Sequence, residues 1–163
     1  MSHWHLAQLN VARPLASLDT PLLADFVGQL DKINALAEAS PGFVWRLAGE
    51  SGSAVDIKAA DPTLIVNLSV WTSAEALFDF VYKSAHTAVM ARRREWFERL
   101  ATFQVLFWMP VGQLPGVDEA MRRLAHLEQH GPTPEAFTFK RRYPAPDSVA
   151  GPVDMKPEPY CVA

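Results

Sequence analysis

Hydrophobic and polar positions alternate most cleanly between Leu64 and Trp71. There Leu64, Val66, Leu68 and Val70 stand against Ile65, Asn67, Ser69 and Trp71. A period of two predicts a strand with two unlike faces. Trp4 to Val11, Phe43 to Leu47 and Phe103 to Met109 read as three more strands, the first and last of them ended at Arg13-Pro14 and by Pro110. Elsewhere the period is helical. Asp19-Thr20-Pro21 opens a helix in which Phe26, Leu30, Ile33 and Leu36 recur until Ser40-Pro41-Gly42 breaks it, with Asp19 or Thr20 as its cap. Thr72 or Ser73 caps a second, carrying Leu77, Phe80 and Val81; it runs through a break near Ser84-Ala85-His86 and resumes from Ala88 to Leu100. Val117 to His130 is a third, closed by Gly131-Pro132. The polar stretch from Gly49 to Asp61 is a loop, with a short extended piece expected at Ala54–Lys58. One more short strand is expected within Ala136–Arg142.

The order β-α-β-β-α-β is the split βαβ, ferredoxin-like pattern of an α+β domain: an antiparallel sheet with its helices on one face. An extra C-terminal helix follows. Residues 1–142 are expected to form the domain, and residues 143–163, with five prolines and no apolar period, an extended tail. Because such a sheet leaves one face uncovered, a second copy is expected to close it as a dimeric α/β barrel.

Sorting each strand by parity gives one set that is purely apolar in the third strand and apolar but for His5 in the first, expected beneath the helices. The opposite set holds Trp4, Gln8, Asn10, Asn67, Ser69, Trp71 and Trp108. Phe43, Trp45 and Leu47 face away from Val44 and Arg46. The mixed set is too aromatic to be simply solvated and too polar for a dry core. It suits a small-molecule cavity or a dimer interface.

Composition narrows the classes. Of 163 residues, 49% are hydrophobic and 20% charged, which is enough apolar matter for one core. A net charge of −3 provides no basic field, so nucleic acid is not an expected partner. The longest apolar run, Val105 to Val111, is too short for a membrane span, and nothing near Met1 reads as a signal peptide, so the cytoplasm is the expected location. The single cysteine, Cys161, allows no internal disulfide and is a poor nucleophile candidate. No glycine-rich phosphate loop and no Gly-x-Ser-x-Gly elbow occurs.

Candidate chemistry concentrates between Tyr82 and Phe97. On a continuous helix Tyr82, His86, Arg93 and Phe97 share one face. His86 could exchange protons, Arg93 hold an anion, and Tyr82 donate to a carbonyl or enolate oxygen. The competing structural reading has His86 breaking the helix and the arginines pairing with Glu95 or Glu98 in solvent. Asn67 and Trp71 point to one side of the third strand, where an amide and an indole could orient a phenol or a developing peroxide. Trp45, Trp108, Asn10, Gln8, Trp4 and Phe97 complete the expected binding set. His3 and His5 share a strand face but lack a third ligand, so no metal is expected.

The blocks Trp4–Asn10, Ile33–Ala37, Gly42–Leu47, Asn67–Trp71 and Phe80–Tyr82 resemble the domain of unknown function 3291 family. So do His86, Arg92–Phe97 and Gly131–Phe137. That resemblance implies a branch of the dimeric α/β-barrel superfamily, which includes cofactor-free quinone-forming monooxygenases, haem degraders, haem peroxidases, isomerases and plain binding proteins. The spacing Asn67-x-x-x-Trp71 is similar to that of the quinone-forming enzymes. His86 lies farther beyond Trp71 than the haem degraders would have it. The expectation is a cofactor-free enzyme of the antibiotic-biosynthesis-monooxygenase type, acting on an aromatic or polyketide-like substrate. The alternatives are a non-catalytic small-molecule or haem-binding dimer, and a cofactor-independent lyase, isomerase or cyclase.

Overall fold

The computed structural model describes residues 3–155. Strands β1 (Trp4–Ala12), β2 (Phe43–Arg46), β3 (Ile65–Trp71) and β4 (Gln104–Pro110) form one antiparallel sheet in the order β2-β3-β1-β4. Helix α1 (Ala24–Glu38) joins β1 to β2, and α2 (Ala74–Lys83), α3 (His86–Ala91) and α4 (Arg93–Trp96) join β3 to β4. This is the expected ferredoxin-like α+β architecture. Helix α5 (Val117–His130) follows, then a small pair of strands, β5 (Arg141–Arg142) and β6 (Val153–Asp154). Among the described residues, no helix is long and apolar enough to cross a membrane.

The two sheet faces are covered the other way round from expectation. The apolar set (Ala7, Leu9, Val11, Val66, Leu68, Val70, Val105, Phe107 and Met109) packs against Ala120, Leu124 and Leu127 of α5 and against Ala59 of the long loop. Leu6, Trp71 and Leu106, on the mixed face, pack instead with Ala37 of α1 and with Leu77 and Val81 of α2. The extra helix thus takes the greasy side, whose inward residues are at most 9% exposed. A face already dry within one chain gives no hydrophobic reason to recruit a partner sheet. The expectation of a dimer lost that support when the chain supplied its own cover.

Several local expectations change for identifiable reasons. The register shifts between Phe43 and Trp45 opposite β3. Such an irregularity breaks strict alternation, so Phe43 turns onto Trp71 while Trp45 and Leu47 join the α5 side. Gly42, at φ 82°, makes that entry possible; a Cβ there would lie 2.5 Å from the Ala76 Cβ. Thr20 does not cap α1, because its hydroxyl donates to the Ser17 carbonyl at 2.6 Å and Pro21–Leu23 form a 3-10 turn first. Ser73 does cap α2, accepting from Ala76 N at 3.1 Å. The Ala54–Lys58 piece is not extended, since Ala54–Asp56 form a 3-10 turn.

The expected last strand is divided. Phe137 exchanges backbone hydrogen bonds with Leu106 at the β4 edge, at 2.8 and 2.9 Å, and only Arg141–Arg142 forms a strand. Its partner is Val153–Asp154, so the chain beyond residue 142 folds back onto the body up to Met155, whose N–H donates to the Lys140 carbonyl. Cys161 lies outside the described residues.

Candidate functional site

Between the mixed face and α1–α4 lies a cavity of about 170 Å³. A cavity of ~150 Å³ accepts a benzene ring, so this one holds at least one aromatic ring, and its open side admits more. Alternation brings Gln8, Asn10, Asn67, Ser69, Trp71 and Gln104 up from the sheet. Phe26, Ile33 and Asn34 come down from α1, Phe80 from α2, and His86, Arg93 and Phe97 from the segment beyond it.

The polar groups are arranged in depth. Asn67 lies opposite Asn10 on β1, and Asn10 opposite Gln104 on β4, so three amides stand in one row across three strands. None of the three makes a side-chain hydrogen bond among the described residues. Asn67 is exposed, which sets this row at the open side. One pleat further in, Gln8 and Ser69 are buried. There the Trp71 indole N–H donates to Ser69 Oγ at 2.9 Å, and Ser69 Oγ donates to Gln8 Oε1 at 3.1 Å. The Trp71 N–H is thus spent on Ser69, and what the indole turns toward the cavity is its ring. Trp71 itself is fully buried, with Phe80 stacked on it at 5.2 Å and the Phe43 edge against it at 5.5 Å. It serves as a wall.

His86 begins a new helix because α2 stops one turn early. Ser84 adopts an extended conformation, its hydroxyl donates to the Phe80 carbonyl, and it accepts from His86 N at 3.2 Å. The break does what the structural reading expected, and it also swings the imidazole into the cavity beside Phe80, 4.9 Å between ring centres. Nδ1 of His86 is buried with no hydrogen-bond partner. Burial pushes the imidazole pKa below its usual value, and the Val81 carbonyl offsets this only in part. Burial therefore favours the neutral form of the ring. On α1, Asn34 Nδ2 is likewise buried without a partner.

The three arginines in a row separate. Arg92 pairs with Asp25 at 2.8 Å and with Glu95 at 2.9 Å on the surface, as the solvated reading had it. Arg93 turns inward and lays its guanidinium over the Phe103 ring at 4.0 Å. Burial first, and the neighbouring Arg94 second, lower its pKa, and Tyr82 offsets this in part.

Thus His86, Asn67, Arg93, Trp71, Asn10, Gln8 and Phe97 line one cavity. Four expected residues do not. Tyr82 follows α2 away from His86 once the helix breaks, and its ring packs on Phe78 at 4.6 Å and Phe139 at 5.8 Å. Trp45 is carried to the opposite face by the shifted register. Trp108 sits farther along the mixed face, where its N–H donates to the Tyr143 carbonyl at 2.9 Å and Phe137 covers it. Trp4 lies at the same remote end, opposite Pro110. Asn34 and Gln104 were missed. Gln104 follows from the β4 alternation, and Asn34 stands one turn beyond Leu30 beside the apolar stripe of α1, where a polar residue is itself a signal.

Among the described residues, no group of three or more His, Cys, Asp or Glu is placed to share a metal ion. Of the residues that line the cavity, His86 and Met90 are the ones able to ligate a haem iron.

The structure is therefore a ferredoxin-like domain with a ligand-sized cavity between its sheet and its helices. The chain belongs to the family described as Domain of unknown function (DUF3291), which matches residues 5–151. No curated protein matches it significantly. Among solved structures, it is similar to a mutant form of SnoaB, a cofactor-independent oxygenase from Streptomyces nogalater. That match has 14% identity, covers 67% of this chain and 94% of that one, and has a TM-score of 0.45. Rv0793 from Mycobacterium tuberculosis matches at 17% identity, covering 69% and 98%, with a TM-score of 0.45. NE2512 from Nitrosomonas europaea, a protein of unknown function, matches at 14% identity, covering 70% and 97%, also at 0.45. Similarities this low carry nothing about activity.

Proposed function

We propose that the protein is a cofactor-free monooxygenase acting on an aromatic or polyketide-like substrate held between the sheet and α1–α4. The observation that supports this reading most is His86 among the lining residues of an aromatic-walled cavity, its Nδ1 buried and unpartnered. A neutral imidazole in such a place can take a proton from an activated ring CH₂ or phenol. The substrate carbanion then forms a C–O bond to dioxygen, giving a hydroperoxide once a proton returns from the imidazolium. Loss of water leaves a carbonyl, so that R₂CH₂ and O₂ become R₂C=O and H₂O. The amide row of Asn67, Asn10 and Gln104 would orient the substrate's oxygens, and Trp71 and Phe80 would wall its rings.

A second reading, a binding protein without turnover, is favoured by one observation: no carboxylate lines the cavity to strengthen His86 as a base. Oxygen uptake with a panel of phenols and anthrone-type compounds separates the two. Catalysis predicts uptake that falls about 100-fold or more in His86→Ala. Uptake unchanged in His86→Ala and Asn67→Ala, or absent with every compound that binds, would leave the binding reading alone.

A further inference from the structure

The cavity's charge is one-sided. Its lining holds Arg46, Arg93 and His86 and not one Asp or Glu. Arg46 is neutralised outside the lining by Glu38, at 2.7 Å. Arg93 is not. The acids nearest to it in sequence are committed elsewhere: Glu95 to Arg92, and Glu98 to Arg13 at 3.4 Å. Asp25, across on α1, is also held by Arg92. Beyond the Phe103 ring, the half-buried Arg93 guanidinium makes no hydrogen bond or ion pair among the described residues.

A guanidinium has five N–H donors in a planar fork that fits a carboxylate. Leaving such a cation half-buried and unpaired costs stability. Asn34, another of the lining residues, has a buried Nδ2 with no partner. The unmet groups therefore ask for acceptor oxygens and for negative charge. A neutral hydrocarbon-like ligand would meet neither demand.

We propose that the ligand enters already ionised, as an aromatic oxyanion (a carboxylate or phenolate) paired with Arg93. This rests on the reading above that the cavity takes an aromatic molecule, and it adds that charge selects which one. Arg93 is then a specificity determinant that acts at binding, before any chemistry. The order of the neighbouring arginines serves this arrangement: Arg92 collects the local carboxylates on the surface and leaves its neighbour free.

A near-isosteric pair of probes tests it, 2-naphthoate and the neutral 2-naphthamide, with affinities read by titration calorimetry on the full chain. Naphthoate is expected to bind about tenfold or more tighter than naphthamide, the size of a charge-assisted pair. Arg93→Gln should abolish that preference while leaving naphthamide affinity within about twofold, and Arg93→Lys should keep part of it. Arg122→Gln, at an exposed position of α5 across the sheet, should leave both affinities as they were. The melting temperature of ligand-free Arg93→Gln should match or exceed that of the wild type, since an unpaired cation has gone. Equal binding of the two probes, a preference that survives Arg93→Gln, or failure of both to bind at millimolar concentration would each overturn the proposal. Because naphthoate has no activated CH₂ or phenol to react, its preferred binding stands whatever the oxygen-uptake assay gives, and absence of uptake with every phenol or anthrone that binds would sink only the oxygenase reading. Turnover without such a preference would sink only this one.

Discussion

The two faces of the sheet are made by the same strands yet follow different rules. Beneath α5 the core is apolar and nearly water-free, with Ala7, Leu9, Val66, Leu68, Val105 and Phe107 all buried. Beneath α1–α4 the same strands present amides, a serine and an indole, and the covering helices add two buried polar atoms without partners, on Asn34 and His86. Buried groups of this kind are rare in native proteins and call for a bound water, ion or ligand. One face holds the protein together, and the other is kept imperfect for something else to complete.

The largest expected effect breaks the first face. Phe107 is fully buried among the α5 contacts, so Phe107→Ala should remove about 3–5 kcal/mol of stability. Asn10→Ala and Gln104→Ala, on the other face, should stay within about 0.5 kcal/mol of wild type. Urea denaturation of the three variants measures the contrast directly. Equal losses on both faces would mean that the mixed face is as structural as the apolar one.

That contrast was half legible in the sequence. Alternation sorted the strand residues correctly, because a pleated strand leaves a side chain no other choice. It could not say which helices would cover which face. The greasy strip was expected beneath α1 and α2, but α5, with Leu124 and Leu127 three residues apart, offered a better match for it. Strand bulges and helix breaks were the other blind spot. The irregularity after Phe43 took Trp45 out of the cavity, and the extended Ser84 took Tyr82 out while leaving His86 in. Both turn on backbone conformation at single residues, which periodicity averages away. Which of three consecutive arginines would turn inward was equally invisible, because it depended on Asp25, distant in sequence, bonding to Arg92.

A pH titration sharpens the comparison with a smaller effect. The folded state holds His86 below its usual pKa, so the unfolded chain binds a proton that the folded chain refuses. Stability should therefore fall as pH drops through and below about 6.5, the ordinary imidazole value, and level off only below the folded-state pKa. Replacing the ring by His86→Gln should flatten that slope and leave the profile above pH ~7 unaltered in shape. Denaturation midpoints across the range provide the check. An unchanged slope would mean that some other group carries the acid sensitivity, and that the imidazole is better solvated than its surroundings imply.

The smallest effect is the most discriminating, because its sign on stability is opposite to its sign on binding. Asn34 puts an amide nitrogen into the cavity wall with nothing to donate to. Asn34→Leu removes that unmet donor, keeps the same branched heavy-atom skeleton and suits a helix interior better. The ligand-free variant should be as stable as wild type or more so by up to about 1 kcal/mol, seen as a raised melting temperature. Binding of an oxyanion such as 2-naphthoate should weaken at the same time, since one of its donors is gone. A purely structural asparagine would behave in the opposite way: its loss would cost stability and leave affinity untouched. Stability gained with affinity lost is the outcome expected of a residue kept for a ligand rather than for the fold.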